Sequence, residues 1–126
     1  MKYRARIRIL LLFWLAGFIA TINLGSCTRI DTPPALQLTI IDREGIPLQD
    51  VMVGLFDELD QWSMLENPVQ PWRETGSDGK VMFNNLKENV YYFYADADSL
   101  SNISTMIKTD DSLIINEIRK LTVIVE

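Results

Sequence analysis

The sequence of 126 residues contains no histidine and a single cysteine, Cys27. Without histidine there is no Ser–His or Cys–His pair for nucleophilic catalysis, no imidazole ligand for zinc and no imidazole pH switch. One cysteine excludes an intrachain disulfide and a cysteine cluster around a metal. Positive charge is also scarce: 12 Lys plus Arg stand against 17 Asp plus Glu, a net charge of −5. That balance argues against nucleic acid as a partner. No hydrophobic run is long enough to cross a bilayer comfortably. The longest uncharged apolar stretch, Ile9 to Ile22, has 14 residues, where a spanning helix takes about 20. Internal repeats, low-complexity segments and helical periodicity over a useful length are absent as well.

What is present is unevenly placed. Lys2, Arg4, Arg6 and Arg8 give residues 1–26 a charge of +4, and the remainder then carries 8 basic and 17 acidic residues, −9. A basic cluster followed by a short apolar run reads as the n-region and h-region of a signal peptide, a segment expected to be helical. Leu24-Gly25-Ser26-Cys27 follows. It resembles the lipobox of bacterial lipoproteins: an apolar residue, two small residues and the cysteine that is lipidated. The resemblance implies cleavage between Ser26 and Cys27 and acylation of Cys27 (palmitate and related chains). The plain alternative is an uncleaved signal anchor with an incidental cysteine. Each buried methylene is worth roughly 0.8 kcal/mol, and two or more acyl chains make anchoring stable, so the mature chain is expected to sit on a membrane without spanning it. Thr28 rather than Asp follows the cysteine, which points to an outer membrane and leaves its face open. The expected organisation is therefore a signal peptide over 1–26, a lipid-anchored spacer over 27–35 stiffened by Pro33-Pro34, and a domain over 36–126.

The domain, about 90 residues, is enough for one modest core. Its pattern is alternation. Strands are expected at Leu36 to Ile41, Val51 to Phe56, Arg73 to Gly76, Val81 to Phe83, Val90 to Ala95, Ser104 to Lys108 and Lys120 to Glu126. Asp42 to Gly45 and Asp78-Gly79 supply turns, the second with the positive φ of a tight hairpin. Glu58 to Trp72 is too long for a simple turn. It is expected to be a loop, with one helical turn around Asp60 to Leu65. Seven short strands predict an all-β, antiparallel sandwich or barrel.

The order of features resembles carboxypeptidase regulatory-like domains over residues 36 to 95. Asp42-Arg43-Glu44-Gly45 followed by Pro47-Leu48 and Val51-Met52-Val53 matches the opening strand, D-x-x-G turn, Pro pair and second strand. Thr75 to Phe83 resembles their central hairpin, and Asn85-Leu86 with Tyr91 their N-L-x-x-G-x-Y segment. Asn89 stands where the family has Gly, and Asn is the next residue able to adopt positive φ. Gly76 stands where the family often has Asp. The resemblance implies a seven-stranded prealbumin or transthyretin-like β-sandwich, a Greek-key relative of the immunoglobulin fold. It carries no activity, because such domains are attached to many kinds of protein.

Candidate sites follow from residue chemistry. Trp62 and Trp72 lie in the long loop and are able to stack on a sugar ring or a partner protein; alternatively they cover the open end of the sandwich. In Tyr91-Tyr92-Phe93-Tyr94, strand geometry turns Tyr91 and Phe93 inward and Tyr92 and Tyr94 outward, giving a binding patch unless a loop or helix covers it. Three acidic clusters, Asp57 with Glu58 and Asp60, Asp96 with Asp98, and Asp110 with Asp111, lack the spacing of a calcium loop and read as turns. No carboxylate pair across a cleft, no Ser-x-x-Lys and no nucleophile–base pair is legible. The first strand has no Lys and the last no Asn, so no isopeptide crosslink is expected.

The sequence therefore reads as a non-catalytic, lipid-anchored β-sandwich of the cell envelope. It is expected to need no cofactor or metal and to act as a binding or interaction module, monomeric or within an envelope complex, for a protein or glycan partner. The alternative is a structural or adhesive, pilin-like surface subunit that assembles by strand exchange. Glu126 closes the sequence on the last strand, which keeps that alternative open.

Overall fold

A computed structural model of the protein describes residues 30–126. The signal peptide, Ser26 and Cys27 lie outside the described residues. Chain order is β1 (Ala35–Ile41), β2 (Met52–Phe56), a six-residue helix α1 (Leu59–Met64), β3 (Arg73–Glu74), β4 (Lys80–Phe83), β5 (Tyr92–Ala97), β6 (Leu100–Ser101) and β7 (Ile118–Ile124). The strands form two sheets, a three-stranded β4-β1-β7 and a four-stranded β3-β2-β5-β6.

Alternation places the core. Leu36, Leu38 and Ile40 of β1 face inward with Val81 and Phe83 of β4 and Val123 of β7; Val53, Leu55, Phe93 and Ala95 oppose them from the other sheet. Leu86 covers part of this core, and Tyr91 enters it with its hydroxyl accepting a hydrogen bond from Lys87 N at 2.9 Å. The Asp42 turn closes as an Asx motif: Oδ1 accepts from Glu44 N and Ile46 N, both at 2.9 Å, while Gly45 takes φ +82°. Gly79 is glycine for two reasons. Its φ is +74°, and a Cβ there would stand 2.8 Å from the Ile40 carbonyl.

Four expectations are corrected. First, the sandwich is not wholly antiparallel: β7 runs parallel to β1 over seven residues, from Ala35 beside Ile118 to Ile41 beside Ile124. An alternating strand buries the same face whichever way it runs, so the pattern carries no direction. Second, Ser104 to Lys108 is not a strand; the sixth strand is the Leu100–Ser101 pair. Asn102, fully buried, explains the break. Its side chain accepts from Ala95 N and donates to Phe93 O and Met106 O, occupying the ladder positions that a continuing strand would use. Lys108 keeps an isolated bridge to Tyr92. Third, the Asp78-Gly79 turn joins β3 to β4, which lie in different sheets. Fourth, positive φ falls at Asn85 (56°) rather than Asn89; Asn89 instead accepts from Val90 N through Oδ1.

Candidate functional site

The two sheets differ on their outer faces. That of the four-stranded sheet is built from Gly54 and Phe56 on β2 and from Tyr94 and Tyr92 on β5, paired Gly54 to Tyr94 and Phe56 to Tyr92. The segment between β2 and β3 folds back over this face. It begins with α1, which has no side-chain cap at Glu58 and ends at Leu65 in the left-handed region, φ 53°. Six residues without a cap do not hold a helix alone. Tertiary anchors do so here: Trp62 Nε1 donates to Phe93 O at 2.9 Å, and Val69 N donates to Leu55 O at 2.8 Å.

Trp72 completes the cover. Its indole lies on Gly54, so closely that a Cβ at residue 54 would sit 2.9 Å from the ring. Phe56 meets the indole edge-on at 6.0 Å and Tyr94 at 6.4 Å, with interplanar angles of 79° and 81°. Such edge-to-face pairs add about 0.5–1.5 kcal/mol each beyond burial. Phe56 is fully buried yet stands outside the inter-sheet core. It belongs to a second, small apolar layer on the outside of the sheet.

The structure thus brings all four aromatic candidates to one face. Trp62, Trp72, Tyr92 and Tyr94 are each half-buried. The tryptophans cover the outer face of the four-stranded sheet, not the open end of the sandwich, because Gly54 leaves room for an indole there. Leu59 and Met64 stand exposed beside them, at 50% and 61%, with Glu58, Asp60 and Glu66 exposed around them. The Trp62 N–H is spent inside the fold. Among the described residues the hydroxyls of Tyr92 and Tyr94 have no hydrogen-bond partner. Sequence reading missed Gly54 and Phe56; the only signal was a glycine inside an otherwise apolar strand.

The acidic clusters separate. Asp57 and Glu58 lead into α1, where Asp60 lies in the first turn. Asp96 and Asp98 line a shallow depression of about 290 Å³ with Asp50. Asp110 and Asp111 are held by Arg119 at 2.7 and 2.6 Å, and Glu117 takes the guanidinium Nε at 2.8 Å. The hydrogen bonds that Arg119 donates to Glu117 and then to Asp111 hold its proton more firmly than usual. No group of three His, Cys, Asp or Glu side chains suited to a metal occurs among the described residues.

No protein-family model matches the chain, and no curated protein matches it. Among solved structures, a streptococcal ancillary pilin matches with TM-score 0.55 and 20% identity over 78% of this chain. The match covers 33% of the pilin, so this chain spans about a third of that structure's length. A 3-chlorocatechol 1,2-dioxygenase from Rhodococcus opacus matches at TM-score 0.46 with 9% identity, over 78% of this chain and 62% of the enzyme. A catechol 1,2-dioxygenase from Pseudomonas arvilla matches at TM-score 0.42 with 8% identity, over 78% of this chain and 54% of the enzyme. The pilin likeness shows a shared β-sandwich fold.

Proposed function

We propose that the chain is a non-catalytic β-sandwich of the cell envelope, anchored by lipid on Cys27, that works as an interaction module for a protein or glycan partner. The observation that carries the binding role is the aromatic cap. Trp72 is locked by Gly54, Phe56 and Tyr94, while Leu59 and Met64 remain bare on α1, the helix that Trp62 anchors to the same sheet. Aromatic groups already fixed by the fold lose little entropy on contact and are the usual anchors of interfaces. The absence of histidine supports a non-catalytic role. The basic cluster, the 14-residue apolar run and the lipobox-like Leu24-Gly25-Ser26-Cys27 support the anchor and an outer-membrane location.

Affinity capture from native envelopes tests the module. Leu59→Glu combined with Met64→Glu alters two exposed side chains, so the fold should stand and the captured partner should be lost. Equal capture by the variant removes the aromatic cap as the site. A labelled palmitate analogue should mark the natural chain and not Cys27→Ala; no label on the natural chain, or equal label on both, overturns the anchor.

A pilin-like structural or adhesive subunit is the second reading. The likeness to the ancillary pilin supports it, and so does the unshortened edge strand β7. The two readings part on assembly: a module stays monomeric when solubilised, whereas a subunit runs as high-molecular-weight polymer in unheated envelope extracts.

A further inference from the structure

β7 forms one edge of its sheet. β1 pairs with one side, and among the described residues no strand pairs with the other. The odd-numbered residues serve β1: Glu117 O accepts from Ala35 N, and Val125 N donates to Ile41 O. Alternate residues of a parallel strand face one neighbour. The N–H and C=O groups of Ile118, Lys120, Thr122 and Ile124 therefore point to the outer edge. Its far end is occupied, since Thr105 Oγ1 donates to Ile124 O at 2.6 Å and Glu126 N donates to Ser101 O at 2.9 Å. Among the described residues the edge-facing groups of Ile118, Lys120 and Thr122 make no hydrogen bond. The four-stranded sheet, by contrast, ends in two-residue strands β3 and β6, the shortened edges by which sheets avoid unwanted pairing.

Side chains flanking this open stretch define what fits. On the inner side Leu121 borders a cleft of about 430 Å³ with Met106, Ile107 and Thr109. On the outer side Lys120 is exposed on a face shared with Lys80, Gln37, Thr39, Met82 and Thr122, and Asp78 borders this face only at the β4 edge, two strands from Lys120. A second copy is a poor occupant. Two β7 strands paired antiparallel over Ile118 to Thr122 set Lys120 directly against its own copy, and like charges directly opposite destabilise a pair. Moving the two-fold axis to Leu121 instead drives the copy's strand into the end that Thr105 occupies.

We propose that the open edge of β7 is a strand-addition site for an extended segment of a partner protein, with an acidic residue beside Lys120 and an apolar residue beside Leu121. The proposal rests on the reading of the chain as an interaction module and names a contact separate from the aromatic cap.

The probes are two acetylated, amidated, fluorescein-labelled nine-residue peptides of alternating Thr and Val, one with Glu and one with Lys at the centre. They are titrated into the full chain in detergent micelles and followed by anisotropy. The Glu peptide should bind about fivefold or more tightly than the Lys peptide, and Lys120→Glu should reverse the order. Thr122→Pro removes an edge-facing donor and leaves the β1 ladder intact, so it should abolish binding of both peptides. Lys120→Glu changes one exposed side chain and keeps the test sharp even where the proline variant folds poorly. Binding of neither peptide, equal binding of the two, or unchanged binding by a folded Thr122→Pro chain overturns the proposal. A dimer that Thr122→Pro dissolves would assign the edge to a second copy and overturn it too. Capture of a partner through the aromatic cap, with no peptide binding here, removes the edge site and leaves the module reading standing.

Discussion

Gly54 and Asn102 are single residues on which larger features depend. Gly54 admits the Trp72 indole, and a methyl group there would lie 2.9 Å from it. Gly54→Ala should therefore displace the indole and destabilise the domain by about 1–3 kcal/mol, the range for overpacking. A lower urea midpoint with unchanged slope, together with a changed near-ultraviolet dichroism signal, would show this; an unaltered midpoint would mean that the indole is not seated there. Sequence pattern singled out Trp72 but not its seat, because a glycine in a strand has several explanations and its neighbour lies 18 positions away. Asn102 was illegible for a similar reason. Asparagine in a polar stretch reads as a turn residue, and only the folded chain places its amide against Phe93, Ala95 and Met106.

At the level of elements, strands with clear alternation were legible and β6, cut short by the Asn102 side chain, was not. β1, β2, β4, β5 and β7 appear near their expected places, with ends moved by one or two residues. The helical turn expected at Asp60 to Leu65 is α1, and its termination explains a testable weakness. Leu65 is 40% exposed and sits at φ 53°, a conformation that costs a non-glycine residue about 1–2 kcal/mol. Leu65→Gly should raise stability by about 0.5–1 kcal/mol; chemical denaturation showing a loss would mean that the Leu65 side chain contributes more through packing than its backbone loses. The chain beyond β7 is tied by Glu126, whose carboxylate accepts from Arg43 Nε at 2.8 Å and from Ser104 at 3.1 Å. The Arg43 hydrogen bond chiefly, then that of Ser104, holds the Glu126 carboxyl below its ordinary 4.5. A lowered carboxyl pKa adds stability above the unfolded value and loses it as pH falls through the folded one. Glu126→Gln should accordingly flatten the decline in stability below pH about 4.5, read from denaturation midpoints across the acid range. An identical slope in both proteins would exclude the tie.

For the whole molecule, composition already limits behaviour. With no histidine, no side chain titrates by default near pH 6.5. Thermal midpoints should stay flat between pH 6 and 7.5, and a step in that window would reveal a strongly shifted group. The sequence by itself determined the class of architecture, because alternating apolar residues between turn signals bury area only when two sheets close on each other. It also determined that Phe93 of β5 faces inward and Tyr92 and Tyr94 outward, since successive side chains of a strand alternate between its faces. It singled out Trp62, Trp72, Tyr92 and Tyr94, whose size and chemistry are visible one at a time, and passed over Phe56, which looks like any other apolar strand residue. Strand direction, the parallel pairing of β7 with β1, the passage of the Asp78-Gly79 turn between sheets and the seating of Trp72 on Gly54 were decided only by tertiary structure. Those features depend on which distant segments meet, and a local pattern stays the same when its neighbours or its direction are exchanged.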